Sequence, residues 1–337
     1  MRADLLQSIQ RYIVNPAPGQ FEPLTLALFR RQYDLNSAYR RYVDACPSAV
    51  GDITSLVDIP SVPAQAFKTV SLSCTSTDGC AAVFESSGTT QALAGKHWMD
   101  SDALALYELS LVQGYDRIQS ALPANAPLWA IMPPAADAPH SSLSHMLATL
   151  GASHWFWDDW SLLARALTNL TTPIVLFGTG FAFVALFDAF PETNWPLPAG
   201  SVVINTGGFK GRTREIARTD FYSLLRDRFE LPDGACLAEY GMSEMASQFY
   251  AIGEEGAFLA PPWLRTRIID PYTGDDVEAG EPGLLRVYDL ANWNSVLAIQ
   301  TQDMAVADGA GFRLLGRAPD ADVRGCSLTV EELWTRE

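Results

Sequence analysis

Apolar and polar positions follow two different rhythms along the chain. The first ~70 residues carry a helical spacing. The opening stretch MRADLLQSIQRYIVNP reads as an amphipathic helix. Leu24, Leu28, Tyr33 and Leu35 mark apolar positions of the next helical stretch, while Arg30, Arg31, Arg40 and Arg41 supply solvated faces. This lead-in ends in Ile59-Pro60-Ser61-Val62-Pro63, which is expected to be extended because each proline disfavours helix in the residue before it. From about Val70 the spacing changes to short apolar runs alternating with helical segments. Ala81–Phe84, Leu128–Met132, Pro173–Phe177 and Ser201–Asn205 read as buried strands, and a further short extended piece follows Gly95-Lys96. A helix capped by Asp100 or Ser101 carries Leu104, Tyr107, Leu111, Tyr115 and Ile118 at spacings of three and four. Beyond Gly253 the pattern turns β-rich, with strands at Leu284–Tyr288 and Gly311–Leu315 and a turn at Asp308-Gly309-Ala310-Gly311. Strands alternating with helices predict an α/β fold with a mostly parallel sheet, whose strand-end loops are where such proteins bind ligands.

Composition narrows the function classes. A chain of 337 residues, 48% hydrophobic and 18% charged, suits one large α/β body or two ordinary domains and excludes intrinsic disorder. Thirty-nine acidic against 23 basic residues give a net charge of −16, a field that repels nucleic-acid phosphates and anionic lipid surfaces. The five cysteines (Cys46, Cys74, Cys80, Cys236, Cys326) show no C-x-x-C spacing, and the four histidines form no H-E-x-x-H, so neither a disulfide framework nor a structural zinc site is expected. The run Ile174–Phe187 is interrupted by Gly178 and Gly180 and is too short to span a bilayer, and the N-terminus lacks a signal-peptide core. A soluble, cytoplasmic protein without membrane insertion or nucleic-acid partner is the expectation.

Several features bear chemistry. Ser86-Ser87-Gly88-Thr89-Thr90 places four hydroxyls around one glycine directly after a strand, an arrangement that suits either phosphate oxygens or a solvated turn. A Walker A loop is excluded by the six residues between Gly88 and Gly95 and by His97 after Lys96. In Glu239-Tyr240-Gly241-Met242-Ser243-Glu244 an aromatic ring beside a glycine suits stacking on a flat base, and Glu244 is a hard oxygen ligand for Mg²⁺. The same turn half-matches the serine-hydrolase elbow, but its closing glycine is missing and no histidine follows it. Asp303, taken as lying after a strand, and Arg317 in Gly316-Arg317 offer an acceptor for a diol and a bidentate cation; taken singly, each better suits a surface charge. Cys326, two residues from Arg324, is either a thiolate nucleophile or a small buried hydrophobe.

In this order, with Asn205-Thr206-Gly207-Gly208-Phe209-Lys210 and Arg324-Gly325-Cys326-Ser327-Leu328, these features resemble the motif series of the adenylate-forming acyl-CoA synthetase superfamily over nearly the whole chain. Within it the chain looks most like the LuxE-type acyl-protein synthetases, with the phenylacetate–CoA ligase branch as the alternative. The resemblance implies the large N-terminal domain of that superfamily, with mixed and parallel sheets flanked by helices plus a small β-rich part, and a mobile C-terminal domain that is missing or vestigial. The boundaries it suggests are a helical lead-in over 1–70, an adenylation body over 71–320 (α/β halves 71–200 and 201–280, β-rich 281–320) and a short tail over 321–337.

The resemblance also implies roles and cofactors. Ser86, Ser87, Gly88, Thr89 and Thr90 would wrap the phosphates of ATP, and Tyr240 at Gly241 would stack on adenine with Gly207 and Gly208 as the adjoining wall. Ser243 would touch phosphate, Glu244 would hold Mg²⁺, Asp303 would bind the ribose, and Arg317 would lie at the hinge-side end of the nucleotide. Cys326 would carry the acyl group. Lys96, Lys210 and Arg212 are the candidate cations for adenylation, whereas Arg214 and Arg218 suit the exposed start of a helix. His154-Trp155-Phe156-Trp157 and Phe177–Phe181 either line an acyl tunnel or form plain core, and for the tryptophans core is the reading preferred. The implied activity is an ATP-dependent acid–thiol ligase acting on a carboxylic, fatty acid, with an acyl-protein reductase or acyl acceptor protein as partner. A ligase using CoA or a carrier thiol, and a non-catalytic nucleotide-binding subunit, are the alternatives.

Overall fold

A computed structural model describes residues 2–46, 50–86, 94–207 and 216–318. In chain order the lead-in forms α1 (Arg2–Val14), α2 (Phe21–Leu35) and α3 (Ser37–Asp44), followed by short 3₁₀ turns and β1 (Val62–Pro63). Next come β2 (Ala82–Glu85), β3 (Lys96–Met99) and α4 (Ser101–Asp116). The α/β stretch is β4 (Leu128–Ile131), α5 (Ser142–Thr149), β5 (His154–Trp155), α6 (Trp160–Thr168), β6 (Val175–Thr179), α7 (Gly180–Ala189), β7 (Val202–Thr206), α8 (Arg218–Phe229), β8 (Cys236–Tyr240) and β9 (Phe249–Ile252). Four strands close the described chain: β10 (Leu264–Ile269), β11 (Gly283–Asp289), β12 (Ala298–Asp308) and β13 (Gly311–Arg317).

The chain divides into two compact units. Unit 1 comprises 1–113, 242–247 and 260–337; unit 2 comprises 114–241 and 248–259. Unit 2 is built on a six-stranded sheet in the order β5-β4-β6-β7-β8-β9, parallel throughout except for the antiparallel edge strand β9. Its central strands are buried on both faces and accordingly read as continuous apolar runs. Phe183, Phe187, Trp195 and Phe229 pack into one aromatic cluster against them. Thr179 pairs with Thr206 and Thr206 with Glu239, so the ends of β6, β7 and β8 share the carboxyl edge of the sheet. No described helix is long and apolar enough to cross a membrane.

Unit 1 holds the β2–β3 hairpin and a five-stranded sheet in which β1-β12-β11-β10 run side by side and β13 pairs with β12. The extended Val62-Pro63 segment thus becomes a parallel edge strand on β12, a position that tolerates proline. Asp100 is the cap of α4: its Oδ1 accepts from Ala103 N at 2.8 Å. The buried stripe of α2 differs from the apolar pattern. Leu35 is exposed, whereas Thr25 and Gln32 are fully buried with Phe21, Leu28 and Phe29, because hydrogen bonds satisfy both polar side chains.

Candidate active site

In unit 1 the hydroxyl-rich loop springs from the β2–β3 hairpin, and Ser86 closes its base. Ser86 N donates to Gly95 O and Gly95 N to Ser86 Oγ, each at 2.9 Å. A β-carbon on Gly95 would stand 3.1 Å from Ser86 Oγ and 3.4 Å from Glu244 Oε1. The hydroxyl and the carboxylate therefore flank one point above Gly95, with Phe67 Cβ on a third side at 3.4 Å, and a side chain at Gly95 would crowd it. Glu244 is buried, and Ser243 Oγ donates to Glu85 O at 3.2 Å. Lys96 pairs with Glu85 at 3.7 Å, directly opposite it in the hairpin register. Ser87, Gly88, Thr89 and Thr90 lie outside the described residues.

The short stretch 242–247 is held by groups that sequence reasoning did not single out. His97, on β3, is buried, and its Nδ1 donates to Ser243 O at 2.8 Å; burial pushes the imidazole down to about 4, so the ring is neutral. Asn292 Nδ2 donates to Glu244 O at 2.9 Å. Asp289, at the end of β11, accepts from Ala246 N at 2.9 Å and Ser247 Oγ at 2.6 Å, and also from Ala291 N. Burial pushes its carboxyl up to about 6, against the pull of those donors. Ser110 and Ser247, joined at 3.0 Å, both accept from the Trp263 indole N–H.

Unit 2 carries the other half of the tyrosine turn. Tyr240 ends β8 with its ring tilted against Phe249 and Phe258, at centroid distances of 5.7 and 5.8 Å. Gly207, at the end of β7, has φ +65°, a conformation that side chains rarely adopt. Between the two strand ends lies Glu239, which accepts a short hydrogen bond from Thr206 Oγ1. Burial pushes this carboxyl up to about 7, while the Thr206 bond pulls it down. A β-carbon on Gly241 would come within 2.7 Å of Glu239 Oε1, so any side chain there would have to displace that carboxylate. In the sequence Glu239 stands only as the first residue of the tyrosine-turn motif; its pairing with Thr206 emerges from the parallel register of β7 and β8.

Two expectations are corrected. Asp303 lies inside β12 and not after a strand, because the ladder continues past it to Asp308. It faces Arg317 across the β12–β13 pair, where Arg317 Nε stands 3.8 Å from Asp303 Oδ1; two residues read separately are one ion pair. Trp157 is not core but nearly half exposed, at 48%, while Phe156 and Phe177 are buried. Arg218 does open a helix and is exposed. Gly208, Lys210, Arg212 and Cys326 lie outside the described residues.

Comparison with known proteins bears on the family and the fold. Residues 161–335, just over half of the chain, match the family described as acyl-protein synthetase, LuxE. A long-chain-fatty-acid–luciferin-component ligase of Aliivibrio fischeri is 27% identical over 177 residues, covering 49% of this chain and 47% of that protein. The match thus spans about half the length of the curated relative. Among solved structures, 2-hydroxyisobutyryl-CoA ligase in an open conformation superposes with a TM-score of 0.65 at 13% identity, over 88% of this chain and 73% of that one. ATP-bound MatB from Rhodopseudomonas palustris gives 0.51 at 19% identity, over 72% and 49%. At such identities the likeness is one of fold, that of the adenylate-forming ligases. The chain belongs to the LuxE family of acyl-protein synthetases.

Proposed function

We propose that the chain activates a carboxylic acid with ATP as an acyl-adenylate and passes the acyl group to a cysteine thiol, Cys326. The observation that carries this reading is the meeting of Ser86 Oγ and Glu244 Oε1 above Gly95, at the mouth of a hydroxyl-rich loop, in a chain of this family. A fatty acid is the substrate class, by analogy with the relative named for one.

The donor set fits a magnesium–nucleotide. Among the described residues no group of three or more acidic, His or Cys side chains could hold a metal ion. Mg²⁺ keeps several waters and binds through one or two carboxylates plus phosphate oxygens, so Glu244 beside the loop suffices. Bound there, the ion would neutralise phosphate charge. The chain's own groups do the rest. Ser86 and the loop from Ser87 to Thr90 donate to phosphate oxygens, Ser243 reaches phosphate, and Tyr240 with Gly241, Gly207 and Gly208 receives the base. Asp303 accepts from the ribose hydroxyls and Arg317 holds it in place. Lys210 meets the charge that develops at the α-phosphate.

With ATP so placed and the acid bound beside it, a carboxylate oxygen attacks the α-phosphorus, the bond to the β-phosphate oxygen breaks, and pyrophosphate leaves. The Cys326 thiol loses its proton, its thiolate attacks the acyl carbon, and AMP departs with the bonding pair. An acyl-protein reductase or other acceptor in the cytoplasm would then take the acyl group.

Exchange of labelled pyrophosphate into ATP, measured with Mg²⁺ and straight-chain fatty acids, tests the first step. Acid-dependent exchange is expected, reduced by about 100-fold or more in Glu244→Ala. Exchange absent with every acid, or unchanged in that variant, contradicts the reading.

A further inference from the structure

The connection between β11 and β12 is unusual for a loop. All eight residues from Leu290 to Leu297 are buried, at 0–1% exposure. Connecting segments normally run over the surface, because a buried loop must find partners for its backbone groups. Here the partners are present. Leu290 N donates to Trp263 O, Leu297 N donates to Gln32 Oε1, and Gln32 Nε2 donates to Asn292 O. Cys74 N donates to Asn294 O, and Arg31 Nη1 donates to Trp293 O while its guanidinium stacks 3.8 Å from the Trp293 ring.

Two side-chain amides of this loop serve other segments instead. Asn294 Nδ2 donates to Trp98 O on β3, and Asn292 Nδ2 donates to Glu244 O. β3 in turn supplies His97, whose Nδ1 donates to Ser243 O. A buried loop whose backbone is tied to other segments thus grips the backbone of Ser243-Glu244 both directly and through the hairpin that carries the hydroxyl-rich loop. Small losses of such supporting hydrogen bonds displace a metal-binding oxygen without unfolding the protein.

We propose that Asn292 and His97 are positioning residues that fix the Glu244 carboxylate for the magnesium ion of bound ATP. This rests on the reading of Glu244 given above. Neither side chain touches nucleotide or metal; each acts through a backbone carbonyl of the turn. His97 Nδ1 and the amide of an asparagine at the same place can both donate to Ser243 O, so His97→Asn preserves what His97→Ala removes.

Calorimetric titration with ATP, in Mg²⁺ and in EDTA, separates this role from general damage. The wild type should bind ATP more tightly with Mg²⁺. In Asn292→Ala and His97→Ala that Mg²⁺-dependent gain should fall by about 10- to 100-fold, with binding in EDTA changed by less than about twofold, while His97→Asn keeps the gain. Should Asn292→Ala fail to fold, the two His97 variants decide. An intact Mg²⁺ gain in the alanine variants overturns the inference, as does a loss matched by equal weakening in EDTA or a wild type indifferent to Mg²⁺. A wild type that binds no ATP at all overturns the nucleotide reading itself, and the inference with it.

Discussion

Glu239 shows how one buried carboxyl can set the pH behaviour of the fold. Its ordinary value is 4.5, and burial lifts it to about 7. The folded state therefore holds the proton more tightly than the unfolded one. The resulting stability is fully present below about pH 4.5 and is lost as pH rises towards 7, by roughly 3 kcal/mol in all. Glu239→Gln keeps the shape, removes the ionisation and can still accept from Thr206. Its thermal midpoint should approach that of the wild type near pH 5 and exceed it increasingly up to pH 8; parallel curves would contradict this assignment. Asp289 acts in the same direction, its carboxyl raised from 3.8 to about 6. His97 acts oppositely. Its pKa is depressed from 6.5 to about 4, so its contribution is present above pH 6.5 and fades as the medium is acidified. None of these shifts is visible in the sequence, because each is caused by burial that only the tertiary structure creates.

At the scale of elements, the β11–β12 loop and α2 depend on each other through Gln32. Its side chain donates to Asn292 O at 2.7 Å and accepts from Leu297 N at 2.8 Å. Gln32→Leu leaves both buried backbone groups without partners, and each orphan costs about 1–3 kcal/mol. Chemical denaturation should show a loss of about 2–6 kcal/mol, whereas a loss under about 0.5 kcal/mol would mean that the loop rearranges freely. The strands were legible where they are continuous apolar runs: β4, β6 and β7 fall on the runs that predict them. The loop was not legible, since Asn292-Trp293-Asn294-Ser295 carries the polar composition of an exposed turn and its burial rests on partners about 200 or more residues away. For the same reason periodicity misplaced the stripe of α2, taking Leu35 as apolar face when Gln32 is the buried residue. The sequence expectation places Asp303 after a strand; the ladder instead runs through Gln302 and Asp303 to Asp308, and polar residues within a strand give no apolar run to mark it.

At the scale of the whole molecule, the candidate site was legible as an ordered series of short motifs, each weak alone. The structure adds what spacing cannot: Ser86 and Glu244, far apart in sequence, flank the same point above Gly95, and Asp303 and Arg317 form one ion pair. Chemistry on this acidic surface, with a net charge of −16, needs local cations and a metal to hold a polyphosphate. Salt should therefore strengthen ATP binding by screening the general repulsion, so the ATP dissociation constant should fall between 20 and about 200 mM salt at saturating Mg²⁺. A rise over that range would place local attraction above the global field. The central claim, that an activated acyl group ends on this protein's own cysteine, is tested most directly by intact-protein mass after incubation with ATP, Mg²⁺ and a fatty acid. A single acyl adduct, removed by neutral hydroxylamine and absent in Cys326→Ala, is the predicted result; acid-dependent pyrophosphate release with no adduct, or an adduct that survives Cys326→Ala, would contradict it.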